Sequence, residues 1–95
     1  MKYRSTFDIA SDILRAAREG NSTKTRLMYG AYLSFYQLNK YLQFLETNGL
    51  IKRDETTRVY SPTEKGVRLL HVLEDIEKLI SLDEAKGLEA AKSTQ

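Results

Sequence analysis

Apolar residues recur at helical intervals through most of the chain, and the clearest run is Ser34–Gly49. Leu38, Tyr41, Leu42 and Leu45 follow the i, i+3, i+4, i+7 spacing of one buried stripe. At about 3.6 residues per turn, Tyr36, Lys40, Gln43 and Thr47 fall on the opposite side, which is polar and carries no acid. Both ends of this helix are marked. Ser34 with Gln37 three residues on has the form of a capping box, and Leu33 and Leu38 take the positions of a hydrophobic staple. Asn48-Gly49 supplies a left-handed stop.

The same pattern predicts a first helix over Thr6–Glu19. Ile9, Ile13, Leu14 and Ala17 form its stripe, Ser5 or Thr6 its cap, and Asp8 suits its positive end. Arg15 and Arg18 lie near its C-terminus, a placement that dipole stabilisation explains slightly better than contact with DNA. A short second helix spans Ser22–Tyr29, capped by Ser22 or Asn21. Lys24 and Arg26 in its first turn oppose the helix dipole, which gives them a reason to meet a phosphate. Gly30–Leu33 is then a tight turn into the central helix. A short helix, a tight turn and a capped second helix have the layout of a helix-turn-helix, whose second helix enters the DNA major groove. Six of the nine aromatics lie between Tyr29 and Phe44. Tyr29, Phe35, Tyr41 and Phe44 are expected to fill the core, and Tyr36 to project outward.

Leu50–Ser61 reads as a β-hairpin with a polar tip at Asp54–Thr57. Arg53 and Arg58 flank the tip, where they can meet DNA or pair with Asp54 and Glu55. Ser61-Pro62-Thr63-Glu64 opens a last helix as a second capping box, with Thr63 the alternative cap. This helix should run to about Leu82. Leu69, Val72, Ile76 and Leu79 alternate at three and four, the spacing of a coiled-coil seam, and Leu70, Leu73 and Ile80 widen the apolar surface. Its far half, Leu73–Leu82, projects beyond so small a domain, so a homodimer through this helix is expected. Ser81 with Glu84 can cap a further short helix, which Gly87 interrupts. The chain thus divides into a core over residues 1–62 and a C-terminal helix with its tail over residues 63–95.

Composition narrows the options further. Ninety-five residues make one domain with a modest core. There are no cysteines and one histidine, His71, so disulfides and thiolate metal sites are excluded and a histidine metal site within one chain is not expected. His71 is read as packed or hydrogen-bonded. No apolar run is long enough for a membrane span, and MKYRSTFD is polar, unlike a signal peptide. The net charge of +2 hides an asymmetry, with 12 Lys/Arg against 7 Asp/Glu in residues 1–68 and 3 against 6 in residues 69–95. A basic head, begun by the arm carrying Lys2 and Arg4, suits a polyanion. No phosphate-binding glycine loop, nucleophile elbow, paired acidic motif or metal-ligand spacing appears, so neither an enzyme nor a cofactor is expected.

The order helix, helix-turn-helix, hairpin, long helix is that of a mainly α winged helix with a long dimerisation helix. The residues also resemble a family. Lys24-Thr25-Arg26-Leu27-Met28-Tyr29-Gly30-Ala31, followed by Leu33-Ser34-Phe35, is similar to the signature of small archaeal winged-helix DNA-binding proteins. Tyr41-Leu42, Leu45, Gly49-Leu50-Ile51, Tyr60 and Thr63-Glu64-Lys65-Gly66 extend the likeness over roughly residues 6–75. The resemblance implies a dimer joined by an antiparallel coiled coil, and a chromatin-associated or regulatory role on double-stranded DNA, hence a cytoplasmic, nucleoid-associated protein. On this reading Tyr36, Gln37 and Lys40 face base edges or nearby phosphates, with Ser34 at the same helix end and Gln43 and Asn39 as second choices. Lys24, Arg26, Arg53 and Arg58 meet phosphates, and Leu69, Val72, Leu73, Ile76, Leu79 and Ile80 form the dimer interface. The competing reading is a protein-interaction module that uses the winged helix as a scaffold.

Overall fold

The computed structural model describes residues 5–20 and 22–94, with side chains as far as Ile80. The arm with Lys2 and Arg4 and Asn21 as a cap lie outside what is described, whereas the backbone at Ser81–Glu84 is continuous helix, so the expected separate helix does not begin there. Four helices and a hairpin follow in the order α1 (Thr6–Arg18), α2 (Lys24–Gly30), α3 (Phe35–Thr47), β1 (Ile51–Arg53), β2 (Tyr60–Pro62) and α4 (Glu64–Thr94). This is the expected winged-helix order. β1 and β2 are antiparallel, with Ile51 opposite Pro62 and Arg53 opposite Tyr60.

Helix starts follow local side-chain chemistry. Ser5 and Asp8 form a full capping box on α1, each side chain accepting the other's backbone N–H at 3.1 Å. Ser34 and Gln37 do the same on α3, at 3.1 and 3.0 Å. α2 begins later than expected, because its cap is Thr23, whose hydroxyl accepts from the Arg26 N–H. Ser22 is not a cap but is buried and extended. Its hydroxyl lies 2.9 Å from the Ala16 carbonyl and 3.1 Å from that of Gly20, and so meets acceptors that the end of α1 leaves open. Its own carbonyl accepts from the Tyr60 N–H at 2.8 Å, which ties the α1–α2 link to the hairpin.

The last helix also starts differently from the expectation. Ser61 and Pro62 belong to β2, and Thr63 is the cap, its hydroxyl accepting from the Gly66 N–H at 3.0 Å. The same hydroxyl donates to the Gly49 carbonyl at 2.6 Å, and Lys65 Nζ donates to that of Asn48 at 2.9 Å. Gly66 is pressed against the backbone of Leu50, so closely that a Cβ there would strike the Leu50 carbonyl oxygen. The Thr-Glu-Lys-Gly sequence is therefore a junction that locks the end of α3 to the start of α4. From there α4 runs through Gly87 to Thr94 without the expected stop near Leu82, about 46 Å at helical rise.

The core is aliphatic. Ile9, Ile13 and Leu14 from α1, Leu27 from α2, and Leu38, Leu42 and Leu45 from α3 meet Leu50, Ile51 and Leu70. Tyr60 is the one aromatic among its buried residues. Tyr29, Phe35 and Phe44, expected inside, are exposed, and Tyr41 is half-buried against the core. Leucines at the inward positions already fill so small an interior, which leaves the larger rings outside. His71 is also exposed rather than packed.

α2 ends in a Schellman motif. The Leu33 N–H donates to the Met28 carbonyl at 3.0 Å and the Tyr32 N–H to that of Tyr29 at 3.3 Å. This geometry needs one residue in the left-handed region just past the helix. Gly20 and Gly49 fill that place after α1 and α3, but after α2 it is filled by Tyr32, at φ 56°. A side chain there costs about 1–2 kcal/mol.

Two substitutions check this description by thermal or urea unfolding. Gly66→Ala is expected to cost about 3 kcal/mol, at the upper end for overpacking, because rigid backbone must move. Tyr32→Gly is expected to stabilise by about 1 kcal/mol, a rise of roughly 4–8 °C in Tm for a domain of this size.

A candidate nucleic-acid interface

α3 presents the face read from its sequence. Leu38, Leu42 and Leu45 are buried, while Tyr36, Lys40, Gln43 and Thr47 are exposed, Tyr36 at 74%. Asn39 is half-buried. The helix's one acid, Glu46, lies towards Tyr60, where its charge is felt. Gln37 is exposed, but its side-chain oxygen already accepts from the Ser34 N–H, so only its amide NH2 remains to meet a base. Ser34 Oγ likewise accepts from the Gln37 N–H and keeps its own proton to donate.

Lys24 and the start of α3 come together in space. The ammonium of Lys24 lies 5.5 Å from the centroid of the Phe35 ring, within reach of a cation–π contact. This places a cation from α2 beside the first turn of α3. Arg26, on the exposed side of α2, adds a second.

The other cations divide into two groups. Arg15 donates to Glu74 through Nε at 3.1 Å and to Glu77 and Asp12 through its two terminal nitrogens at 3.1 and 3.0 Å. Arg18 joins the same Glu74 oxygen at 3.3 Å. Both arginines thus fasten α1 to α4, which neither a dipole role nor DNA contact anticipated. Hydrogen bonding from Arg15, with Arg18 in support, holds the Glu74 carboxyl below the usual carboxylate range. By contrast, Lys24, Arg26, Lys40, Lys52 and Arg58 have no ion-pair partner among the described residues.

The hairpin separates its two arginines. Arg53 pairs with Glu55 at 3.2 Å, as one reading of the tip allowed, and that bond raises its pKa. Asp54 accepts the backbone N–H groups of Thr57 and Thr56 at 3.0 and 2.8 Å, which lowers its carboxyl pKa and shapes the turn. Arg58 follows in the left-handed region at φ 61°, exposed. The sequence reading missed Lys52. Its signal was the alternation after Ile51, which turns a strand's next residue outward. Among the described residues there is no acidic or histidine group able to hold a metal, and no helix long and apolar enough to cross a membrane.

The Arg15–Glu74 cluster carries a pH prediction. Because Glu74 is depressed in the folded chain, its pairing stabilises above the ordinary value of 4.5 and is lost as pH falls through the lowered pKa. Glu74→Gln should therefore be less stable than the parent at pH 7, and the difference should shrink in unfolding curves taken at successively lower pH below 4.5.

Comparison with known proteins places this geometry. The profile of the winged helix-turn-helix family matches residues 3–81. The uncharacterized protein MJ0287 of Methanocaldococcus jannaschii is 35% identical over 78 residues, which is 82% of this chain and 78% of that protein. A second protein of that organism, the uncharacterized MJ0290, is 34% identical over 84% of this chain but only 37% of its own length. Among solved structures, Sso10a-2, a DNA-binding protein from Sulfolobus solfataricus, superposes with a TM-score of 0.81 at 30% identity, covering 97% of this chain and 98% of that one. An O-methyltransferase of neocarzinostatin biosynthesis, NcsB1, matches 67% of this chain but 22% of its own, with a TM-score of 0.53 at 27% identity.

Proposed function

The chain belongs to the winged helix-turn-helix family, and on that premise we propose that it binds double-stranded DNA as a homodimer, in a chromatin-associated or regulatory role. The observation that carries the reading is the outward face of α3, free of acid, with Lys40 on it and Lys24 and Arg26 on the neighbouring α2, none of the three having an ion-pair partner among the described residues. The full-length likeness to Sso10a-2, described as DNA-binding, supports it.

On this reading α3 lies in the major groove. Tyr36, Gln43 and the Gln37 NH2 address base edges, Lys40 reaches a nearby phosphate, and the Ser34 hydroxyl lies near the helix start. Lys24, Arg26 and Arg58 contact phosphates, which position the protein without specifying sequence. Arg53 contributes less than Arg58, since its charge is already met by Glu55. The Asp54 and Glu55 charges keep the tip itself away from phosphate and leave the Arg58 side to approach.

Changing Arg26 and Lys40 together to Ala should weaken duplex binding about tenfold at moderate salt and reduce the slope of log affinity against log salt by about 2. Fluorescence anisotropy over a salt series measures both. Unchanged affinity and slope would favour the interaction module instead.

The dimer is supported by what α4 leaves uncovered. Val72, Ile76, Leu79 and Ile80 are exposed in the single chain, at 51%, 43%, 66% and 54%, and follow the spacing of a coiled-coil seam. Leu73 is half-buried beside them, and Leu69 is shared with the core of its own domain. The chain is expected to sediment at twice its mass of 10.9 kDa. Ile76→Asp with Leu79→Asp should return it to a folded monomer, and a parent chain that is monomeric throughout would exclude the dimer.

A further inference from the structure

Four exposed rings surround the α2–α3 turn: Tyr29 at the end of α2, Tyr32 in the turn, and Phe35 and Tyr36 at the start of α3. Of the four, the groove reading assigns a base-facing role to Tyr36 alone. Tyr32 is the most telling of them. It occupies the left-handed position that glycine holds after α1 and after α3, and its ring is 85% exposed. An outward-facing ring held at a strained backbone position points to use in recognition.

The chemistry around the rings selects the ligand. No Asp or Glu occurs from Gly20 to Leu45. Lys24 stands over Phe35 and Arg26 is exposed nearby in sequence, neither with an ion-pair partner among the described residues. Aromatic faces set among uncompensated cations suit a strand that offers both bases and phosphates. A duplex does not offer the former, because its bases cover one another's faces and show a protein only their edges. Unpaired bases have both faces available, and stacking on aromatic side chains is how proteins hold them.

We propose that the turn surface formed by Tyr29, Tyr32 and Phe35, with Lys24 and Arg26, binds single-stranded nucleic acid by stacking unpaired bases. The site adjoins the duplex-reading face of α3 and shares Lys24 and Arg26 with it, while Tyr29 and Tyr32 belong to the single-strand site alone. It gives the protein a second ligand class, met where a duplex is melted or a transcript is free.

The test uses the full chain, its Tyr32→Gly variant and three labelled probes. These are a deoxythymidine strand of about 20 nucleotides, long enough to cover a site of this kind, the same strand with abasic sugars throughout, and a duplex. Tyr32→Gly should bind the deoxythymidine strand about tenfold more weakly than the parent while holding the duplex within twofold. The parent should bind the abasic strand about tenfold more weakly than the one with bases. The chain has no tryptophan, so tyrosine emission should also be quenched by the deoxythymidine strand, and less so in Tyr32→Gly. Tyr29→Ala serves as a second variant that leaves the turn backbone alone. Equal binding of the strands with and without bases would overturn the proposal, since charge alone would then suffice. So would strand affinity unaffected by both tyrosine changes, the result expected if the rings serve a protein partner. Loss of duplex binding alone, with Tyr32-dependent strand binding intact, would sink the groove reading and leave this one standing.

Discussion

Three consecutive carbonyls at the end of α3 and the start of β1 hold the molecule in its shape. Asn48 accepts from Lys65, Gly49 from the Thr63 hydroxyl, and Leu50 from the Thr63 N–H. Helix ends leave carbonyls without partners, and here the start of the next long helix supplies the donors. Because Gly66 then sits directly on the Leu50 backbone, the angle between α3 and α4 has little room to vary. The helix that carries the outward polar face and the helix that carries the uncovered apolar one are thus fixed to each other. The Arg15 and Arg18 bonds to Glu74 and Glu77 repeat that fixation farther along α4, through α1.

The cations have correspondingly separate tasks. Those on α1 are consumed in holding α4, and Arg53 is held within the hairpin. Among the described residues of α1 to β2, the cations left without an ion-pair partner sit on α2, α3 and the hairpin. A count of charge along the chain cannot see this division, since each arginine contributes the same unit wherever it ends up. The excess of positive charge in the first 68 residues therefore reported a basic half without saying which of its members were available.

Legibility followed the range of the interaction. The central helix was readable at both ends because its caps are local: Ser34, Gln37, Asn48 and Gly49 act within their own turn. Its buried stripe was readable because period alone sets it. Ser22 was misread because its partners come from α1 and β2, and nothing near it in sequence announces them. Thr63 prevailed over Ser61 for the same reason, through a bond to Gly49 across the hairpin. The aromatics were assigned inward on hydrophobicity, yet a core this small is filled by leucine and isoleucine first. Of the interface, the face of α3 was visible in the sequence. The Lys24–Phe35 approach and the pairing of Arg15 were not, because both join separate helices.

The placement of the aromatics has a consequence for how such a chain can change over generations. Tyr60 apart, the buried side chains that specify the fold are aliphatic or small, while the other described rings, except the half-buried Tyr41, stand on the surface with most of the lysines and arginines. The two sets scarcely overlap. A substitution that alters what the surface meets leaves the interior volume untouched, and one that repacks the interior leaves the surface chemistry as it was. A lineage built this way can keep one architecture while its outer residues change, and a TM-score of 0.81 at 30% identity is what such a division allows.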